Sequence, residues 1–243
     1  MVIDIAFLSD TFLKLSAALP VTLGLFICAF LVGGILAMGV LALRMSRFAL
    51  LSNFAKGYIL VFRGSPLLIQ LFLIYYGLGQ FGVIRHSFLW PLLREPFICA
   101  VLALALCTAA YTAEILRGAL MAVPPGQIEA GQACGMSRFL LLRRIIAPVM
   151  LRHALPAYST EAILLVKSTA LASLVTVWDV TGVAQQIIQR TYRTMEVFLC
   201  AAAIYLLLNF VIVQLYALLE RRLSPHTRRT PVNVSLKPVT KGE

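Results

Sequence analysis

Residues 123–148 read VPPGQIEAGQACGMSRFLLLRRIIAP, and this stretch decides how the rest of the chain is interpreted. It lies between two long apolar segments and is too long for a simple connector. The Pro-Pro-Gly triplet at 124–126 predicts a turn. A short helix is expected over residues 127–134, and Gly135 can end it because glycine tolerates a positive φ at a helix C-terminus.

A second short helix is expected directly after that glycine. Ser137 can cap it, and the helix is expected to run through Arg144. Two short helices at an angle then protrude from the membrane surface. On physical grounds alone they form either a docking element for a partner or an amphipathic element lying on lipid.

The composition of the whole chain is that of a membrane protein. Hydrophobic types make up 60% of the 243 residues and charged types 13%, and the mean hydropathy is +0.91. Soluble domains are about 45–50% apolar and about a quarter charged. A soluble fold of this composition would expose apolar surface and aggregate, so a soluble enzyme and a disordered chain are both excluded.

Five segments are apolar enough to span a bilayer, which takes roughly 20 residues. Their approximate bounds are 17–43, 57–81, 96–117, 155–178 and 197–219. The expected fold is therefore an all-α polytopic membrane protein with five transmembrane helices, and the quoted stretch joins helices 3 and 4. Residues 1–16 are expected as an extracytoplasmic N-terminus, residues 17–222 as the transmembrane domain and residues 224–243 as a flexible cytoplasmic tail.

The distribution of charge predicts the orientation. A formal charge of +11 fits either a nucleic-acid partner or the positive-inside bias of membrane proteins. With the N-terminus outside, 14 of the 21 Lys and Arg residues fall in inside segments and 5 in outside segments. The inside set is Arg44, Arg47, Lys56, Arg117, Arg138, Arg143, Arg144, Arg152, Arg221, Arg222, Arg228, Arg229, Lys237 and Lys241. The C-terminus is then cytoplasmic, and no nucleic-acid partner is needed to explain the charge.

One run in the quoted stretch resembles a known motif. Glu129-Ala130-Gly131, then Gly135, then Ile145 and Pro148 are similar to the EAA motif of permease subunits of binding-protein-dependent ABC importers. The spacing of that motif, E-A-A, three residues, G, nine residues, I, one residue, L-P, is kept throughout. The chain departs from it at Gly131, where the motif has Ala, and at position 147, where Ala replaces Leu.

The resemblance covers about residues 15–222. The run FRGSPLLIQ at 62–70, the run AYTAEILRG at 110–118 and the region 155–171 are similar to segments of polar amino-acid permeases, above all the histidine and opine uptake subunits. The resemblance implies a multi-pass protein of the bacterial inner membrane that lines the path of a polar or basic amino acid or opine. It also implies three kinds of protein partner in the lipid bilayer or beside it: a second, homologous permease subunit, two copies of a cytoplasmic ATPase and a periplasmic amino-acid-binding protein. The helix around Glu129 and Gly135 would then be the coupling helix seated on the ATPase.

Charges inside the fourth span are candidates for the substrate path. Glu161 and Lys167 are costly at membrane depth, and such residues are functional candidates by default. Six residues place them about 240° apart on a helix, so they face different directions. Glu161 could instead reach water at the membrane edge, and Lys167 could snorkel. Many members of the permease family that this chain resembles carry Asp at the position of Ser168. Ser168 is therefore a further candidate for the substrate path.

The second span is interrupted by Arg63-Gly64-Ser65-Pro66. Backbone groups freed by a break must be satisfied in protein or in a wet cavity, and breaks are frequent at the binding sites of transporters. These four residues are therefore candidates for the substrate path. The alternative is a simple proline kink with Arg63 at the cytoplasmic boundary.

No catalytic chemistry is expected in this chain. It has no GxxxxGK[ST] phosphate loop, and its three histidines are scattered without the spacing of metal ligands. We expect no cofactor on the chain, with ATP and Mg²⁺ held by the partner ATPase. An ion-driven secondary transporter is the alternative function, and a membrane scaffold or enzyme is a more distant one.

Overall fold

The computed structural model describes residues 4–223, and every regular element in that range is helical. This confirms the all-α class. The helices are α1 (Ile5–Ala17), α2 (Leu19–Arg44), α3 (Ala49–Gly64), α4 (Leu67–Phe72), α5 (Gly82–Arg85), α6 (Trp90–Leu93), α7 (Pro96–Met121), α8 (Pro125–Ala133), α9 (Arg138–Leu141), α10 (Ala147–Thr169), α11 (Val180–Thr191) and α12 (Thr194–Leu223). Short π- and 3₁₀-helical turns continue α4 to Gln80, join α9 to α10 and extend α10 to Val175.

The five expected spans correspond to three helices and two bent helix pairs. Ile5–Arg44, Pro96–Met121 and Thr194–Arg222 are each long and apolar enough to cross a membrane. Ala49–Gly64 with Leu67–Gln80 forms a pair bent by 106°, and Arg138–Val175 with Val180–Thr191 forms a pair bent by 49°. The stretch 123–148 joins α7 to α10, the helices of the third and fourth predicted spans, as the sequence predicted.

The apolar helix that contains the first predicted span begins at Ile5, earlier than the span itself was predicted to begin. Ile5–Arg44 is 40 residues long, which is about 60 Å of helix against a hydrocarbon core of about 30 Å. Part of this helix therefore extends beyond the hydrocarbon, and α1 carries an ion pair between Lys14 and Asp10. The expected tail at 224–243 lies outside the described residues.

Charged and aromatic contacts tie the start of α1 to the start of α12. Asp4 accepts hydrogen bonds from the backbone N–H of Phe7 at 3.2 Å and from Arg193 Nη1 at 3.3 Å. The Arg193 guanidinium also lies 4.6 Å from the centroid of the Phe7 ring. The Phe7 N–H and Arg193 lower the pKa of the Asp4 carboxyl from its usual value. These contacts therefore stabilise the folded protein at pH values above the pKa that Asp4 has in the unfolded chain. The stabilisation is lost as the pH falls through the pKa of Asp4 in the folded protein.

Small residues let the two central spans approach closely. The buried positions of α2 recur every three or four residues and include Ala29, Gly33 and Ala37. A Cβ at Gly33 would lie 3.0 Å from the Ala105 carbonyl oxygen on α7 and 3.2 Å from Thr108 Cβ. In lipid the hydrophobic effect does not drive helices together, and van der Waals packing contributes instead. Small residues at the contact allow this packing because they let the two backbones approach closely.

The bend in the second span is closed by the side chain of Gln70. Gln70 is 7% exposed, and its Nε2 donates to the Phe62 carbonyl at 2.9 Å, the Ser65 carbonyl at 3.1 Å and Ser65 Oγ at 3.0 Å. Ser65 Oγ in turn donates to the Val61 carbonyl at 2.6 Å. The carbonyls left without helical partners by Pro66 are thereby satisfied inside the protein.

The bend after the fourth span is held by a buried acid. Thr176 adopts a left-handed φ of 63° and turns the chain into α11. Asp179, which is 0% exposed, caps α11 by accepting from the Gly182 N–H at 2.9 Å and from Tyr205 Oη at 3.1 Å. The Val180 N–H donates to Thr22 Oγ1 at 3.1 Å, which joins α11 to α2.

We expect Tyr205→Phe to destabilise the protein by about 1–3 kcal/mol, because the buried Asp179 carboxylate loses a hydrogen bond that no other group replaces. Thermal unfolding of the assembled, detergent-solubilised protein measures the effect. Tyr192→Phe is the matched control, because Tyr192 is 87% exposed. Equal unfolding midpoints for the two variants would contradict a stabilising role for the Tyr205 hydroxyl.

Candidate functional site

The first candidate site is the loop built on α8. Pro124 is extended and precedes the helix, while Pro125 begins it, so the expected turn is the N-terminus of α8 itself. At the other end Gly135 has a φ of 75°. The Met136 N–H donates to the Gly131 carbonyl at 3.1 Å and the Gly135 N–H to the Gln132 carbonyl at 2.9 Å. This pair of bonds is the Schellman termination that glycine allows, as the sequence predicted.

The second helix starts where the sequence predicted but does not end there. Ser137 Oγ accepts from the Leu140 N–H at 3.3 Å and caps α9. The expectation of a short helix ending at Arg144 is wrong, because a π-turn over Leu142–Ile146 carries the chain directly into α10. The apolar run through Ile145 supplies a continuous packing face, and no cap or glycine interrupts it.

Gly131 is the position where α8 touches the following helix. It is buried, whereas Glu129 and Ala130 are exposed. A Cβ at Gly131 would lie 2.5 Å from Leu141 Cδ1 and 2.8 Å from Ile145 Cδ1. The glycine therefore sets how closely α8 sits on α9, and the other face of α8 stays open to a partner.

The remaining motif residues lie beneath this exposed face. Ile145 is half-buried in the π-turn, and Pro148 is half-buried in the first turn of α10. Three arginines that follow α8 are exposed: Arg138, Arg143 and Arg144. The stretch is thus built from defined helices, with a Schellman termination after α8 and a serine cap before α9.

The second candidate site is a cavity of about 230 Å³ between α7 and α10, which we call the inner cavity. It is lined by Leu67, Leu104, Cys107, Thr108, Tyr111, Glu161, Leu164, Leu165 and Ser168. Residues of α7 supply one wall at helical spacing, and α10 supplies the other with Glu161 and Ser168 two turns apart. The cavity is apolar except for a few hydroxyl groups and one carboxylate.

Glu161 is 9% exposed. Among the described residues no Lys, Arg or His nitrogen lies within 4 Å of its carboxylate, and no hydrogen bond to the carboxylate is formed. A buried charge without a partner is costly. The carboxylate is thus available to a cationic or hydrogen-bond-donating ligand in the cavity.

A second, larger cavity of about 480 Å³ adjoins the first, and we call it the vestibule. It is lined by Arg44, Lys56, Ile59, Leu60, Arg63, Gly64, Tyr111 and Glu114. Glu114 is held by Arg117, whose Nη2 lies 2.7 Å from Glu114 Oε2, and by Arg44, whose Nε lies 3.7 Å from Glu114 Oε1. The vestibule is therefore polar and mainly basic, in contrast to the inner cavity.

The structure brings only part of the expected substrate path together. Glu161 and Ser168 line the inner cavity, whereas Arg63 and Gly64 line the vestibule. Lys167 is exposed on another face of α10, as the six-residue spacing predicted. Ser65 and Pro66 line neither cavity, and the Ser65 hydroxyl is used by Val61 and Gln70.

Sequence reasoning missed Tyr111, which lines both cavities, and Gln70, which closes the bend. The signal for Tyr111 was present, since Leu104, Thr108 and Tyr111 recur at the i, i+4, i+7 spacing of one helix face. Nothing local marks Gln70, because its role depends on the bend angle. Within residues 4–223 no group of three His, Cys, Asp or Glu side chains is placed to hold a metal ion.

Comparison with known proteins gives one family. The model described as "Binding-protein-dependent transport system inner membrane component" matches residues 10–225. The octopine transport system permease protein OccM of Rhizobium radiobacter is 53% identical over 228 residues, which cover 94% of this chain and 93% of the relative. The nopaline transport system permease protein NocM of Agrobacterium fabrum (strain C58) is 50% identical over 226 residues, with coverage of 93% and 94%.

A solved structure agrees with these sequences. One chain from a crystal structure described as an amino acid ABC transporter with histidines superposes with a TM-score of 0.80 at 35% identity. The match covers 91% of this chain and 100% of the solved one. The likeness therefore extends over most of this chain and over the whole of the solved one.

We expect Gly131→Ala to loosen α8 from α9, since the added methyl group overlaps two side chains and overpacking costs about 1–3 kcal/mol. Gly126→Ala is the matched control, because it adds the same methyl group to the same helix with nothing within 4 Å. Limited trypsin cleavage of the detergent-solubilised assembly at Arg138 and Arg143 reports the loosening. Cleavage about tenfold faster in Gly131→Ala than in Gly126→Ala is expected, and equal rates would contradict the tight contact.

Proposed function

This chain belongs to the family of binding-protein-dependent transport system inner membrane components, and we propose that it carries an opine or a basic amino acid. It is the transmembrane permease subunit of an ABC importer. The observation that carries the choice of substrate is Glu161, a buried carboxylate without a cationic partner in the inner cavity. The relatives named for octopine and nopaline transport support the same class.

The chemistry of the inner cavity fits one end of such a substrate. Octopine and arginine both carry a guanidinium group, and a guanidinium bonded to a carboxylate gives a stronger and more directional contact than a neutral hydrogen bond. In this proposal Glu161 receives the cationic group and Ser168 supplies a hydroxyl beside it. The leucine side chains exclude water and strengthen the ionic contact.

Coupling to ATP is the second part of the proposal. The chain has no phosphate loop, so the energy comes from a partner. The exposed face of α8, with Glu129 and Ala130, is proposed to seat in a groove of a cytoplasmic ATPase, two copies of which serve one importer. Its rigid caps support this role, because a lever that transmits movement has to hold its shape.

The remaining partners follow from the family and from the placement of charge. A second, homologous permease subunit completes the translocation path, and an extracytoplasmic binding protein delivers the substrate. In this proposal the loop built on α8 faces the cytoplasm of a bacterial inner membrane and the N-terminus lies outside. The exposed arginines of this loop support that orientation, because cytoplasmic loops carry an excess of Lys and Arg. An ion-driven transporter would leave the capped protrusion of α8 without a function.

Reconstitution tests the proposal. Proteoliposomes containing this chain, its partner permease and the ATPase, with the binding protein outside and ATP inside, are supplied with labelled octopine, nopaline or L-arginine. ATP-dependent uptake of at least one of them is expected. Uptake that follows an ion gradient without the ATPase would replace the proposal by the ion-driven alternative.

We expect Glu161→Gln to raise the KM for a cationic substrate about tenfold, since a charge-assisted contact becomes a neutral one. The variant keeps the size of the side chain, so assembly is expected to be unchanged. Glu220→Gln is the matched control, because Glu220 is exposed on α12. Uptake kinetics of Glu161→Gln equal to those of the control would remove Glu161 from the path.

We expect Glu129→Lys to lower ATP-driven uptake at least about tenfold while leaving membrane insertion intact, because the reversed charge lies on the face proposed to dock. Glu220→Lys makes the same chemical change at another exposed position and is expected to transport normally. Uptake and ATP hydrolysis are measured on the same proteoliposomes. Wild-type uptake by Glu129→Lys would exclude the coupling role of this face.

A further inference from the structure

The two cavities meet at one side chain. Tyr111 lines both of them, with Thr108 one turn away in the inner cavity and Glu114 one turn away in the vestibule. The Arg63 guanidinium lies 4.9 Å from the centroid of the Tyr111 ring. Arg63 and Tyr111 thus form a stack at the boundary between the cavities.

The bend of the second span fixes both sides of this boundary. Gly64, at the end of α3, lines the vestibule, and Leu67, at the start of α4, lines the inner cavity. Because Gln70 holds the intervening residues rigidly, Arg63 is presented from a fixed backbone. Only its side chain has to move for the stack to open.

The vestibule is lined by more cations than acids: Arg44, Lys56 and Arg63 against Glu114. Its single acid, Glu114, is occupied by Arg117 and Arg44. Among the described residues neither Lys56 nor Arg63 has a carboxylate oxygen within 4 Å. Both are exposed, and Lys56 has only the Asn53 side-chain oxygen, at 3.3 Å.

We propose that the vestibule is a second binding site, in which Arg63 and Lys56 take the carboxylate of an amino-acid-type ligand on the cytoplasmic side of the Arg63–Tyr111 stack. Its volume of about 480 Å³ lies within the range of small-molecule sites, about 300–1,000 Å³. The inner cavity offers a carboxylate and the vestibule offers two free cations, so the two ends of a zwitterion meet opposite charges in turn. The inference rests on the proposed function for the identity of its ligand.

The stack is suited to give way to such a ligand. A guanidinium over an aromatic ring is held more weakly than a guanidinium in a bidentate pair with a carboxylate. A carboxylate entering the vestibule therefore competes for Arg63 and draws it from Tyr111. Binding in the vestibule and opening of the boundary are then one event.

Matched ligands and matched variants test the site. The assembled importer is placed in phosphatidylcholine nanodiscs without nucleotide or binding protein, and calorimetry measures binding of L-arginine and of agmatine, which lacks the carboxylate. Wild type is expected to bind L-arginine about tenfold more tightly than agmatine. Arg63→Gln and Lys56→Gln are each expected to reduce that preference at least threefold.

Two controls isolate the vestibule. Arg47→Gln removes an exposed cation that lies just before α3 and does not line the cavity, and it is expected to keep the wild-type preference. Glu161→Gln is expected to weaken binding of both ligands while keeping the ratio between them. A wild type that binds both ligands equally or binds neither, or a ratio unchanged in Arg63→Gln and Lys56→Gln, overturns the site.

A lipid phosphate is the competing occupant, and a second nanodisc separates it. If phosphatidylglycerol in the nanodisc abolishes the preference in wild type, the cations serve a lipid headgroup and the proposal is overturned. An unchanged preference supports the solute site. ATP-driven uptake of arginine or octopine by the same preparation tests the proposed function separately, since uptake without a carboxylate preference overturns only the vestibule site.

Discussion

In a bilayer every backbone N–H and C=O has to find its partner inside the protein, and within residues 4–223 two of the candidate spans are bent helix pairs. At the first break Gln70 supplies the missing donor to Phe62 and Ser65. At the second, Asp179 accepts from Gly182 and Tyr205. Both side chains are buried, so each break is a fixed angle rather than a flexible joint.

These two bends determine which residues line the two cavities. The 106° bend leaves Gly64 on one side of a boundary and Leu67 on the other, so a single turn of chain borders two compartments of opposite charge. The 49° bend frees α11 from α10 and fastens it to α2 through the Val180–Thr22 bond. The straight span α7 runs past both cavities, and Tyr111 on it marks where they meet.

The features that the sequence predicted are those with local causes. Apolar length predicts the spans, Ser137 and Gly135 predict the caps of the loop, and the break at Pro66 is visible as a proline. The features that it missed depend on distant partners: the Val180–Thr22 bond joins residues 158 positions apart, and α11 has no apolar length of its own. The end of the second helix was missed because a π-turn over Leu142–Ile146 continues it past Arg144 into α10.

The unpaired charges bear on function more than the paired ones do. Glu114 is satisfied by two arginines within the protein, so it stabilises the junction of α2 and α7 whatever the protein transports. Glu161 and Arg63 have no ionic partner among the described residues, although burial makes an unpaired carboxylate costly. A permanent partner would neutralise each charge and also remove its affinity for a passing ligand. Groups that must bind and release a charged solute are therefore expected to be left without a partner in the protein, and here they lie on opposite sides of Tyr111.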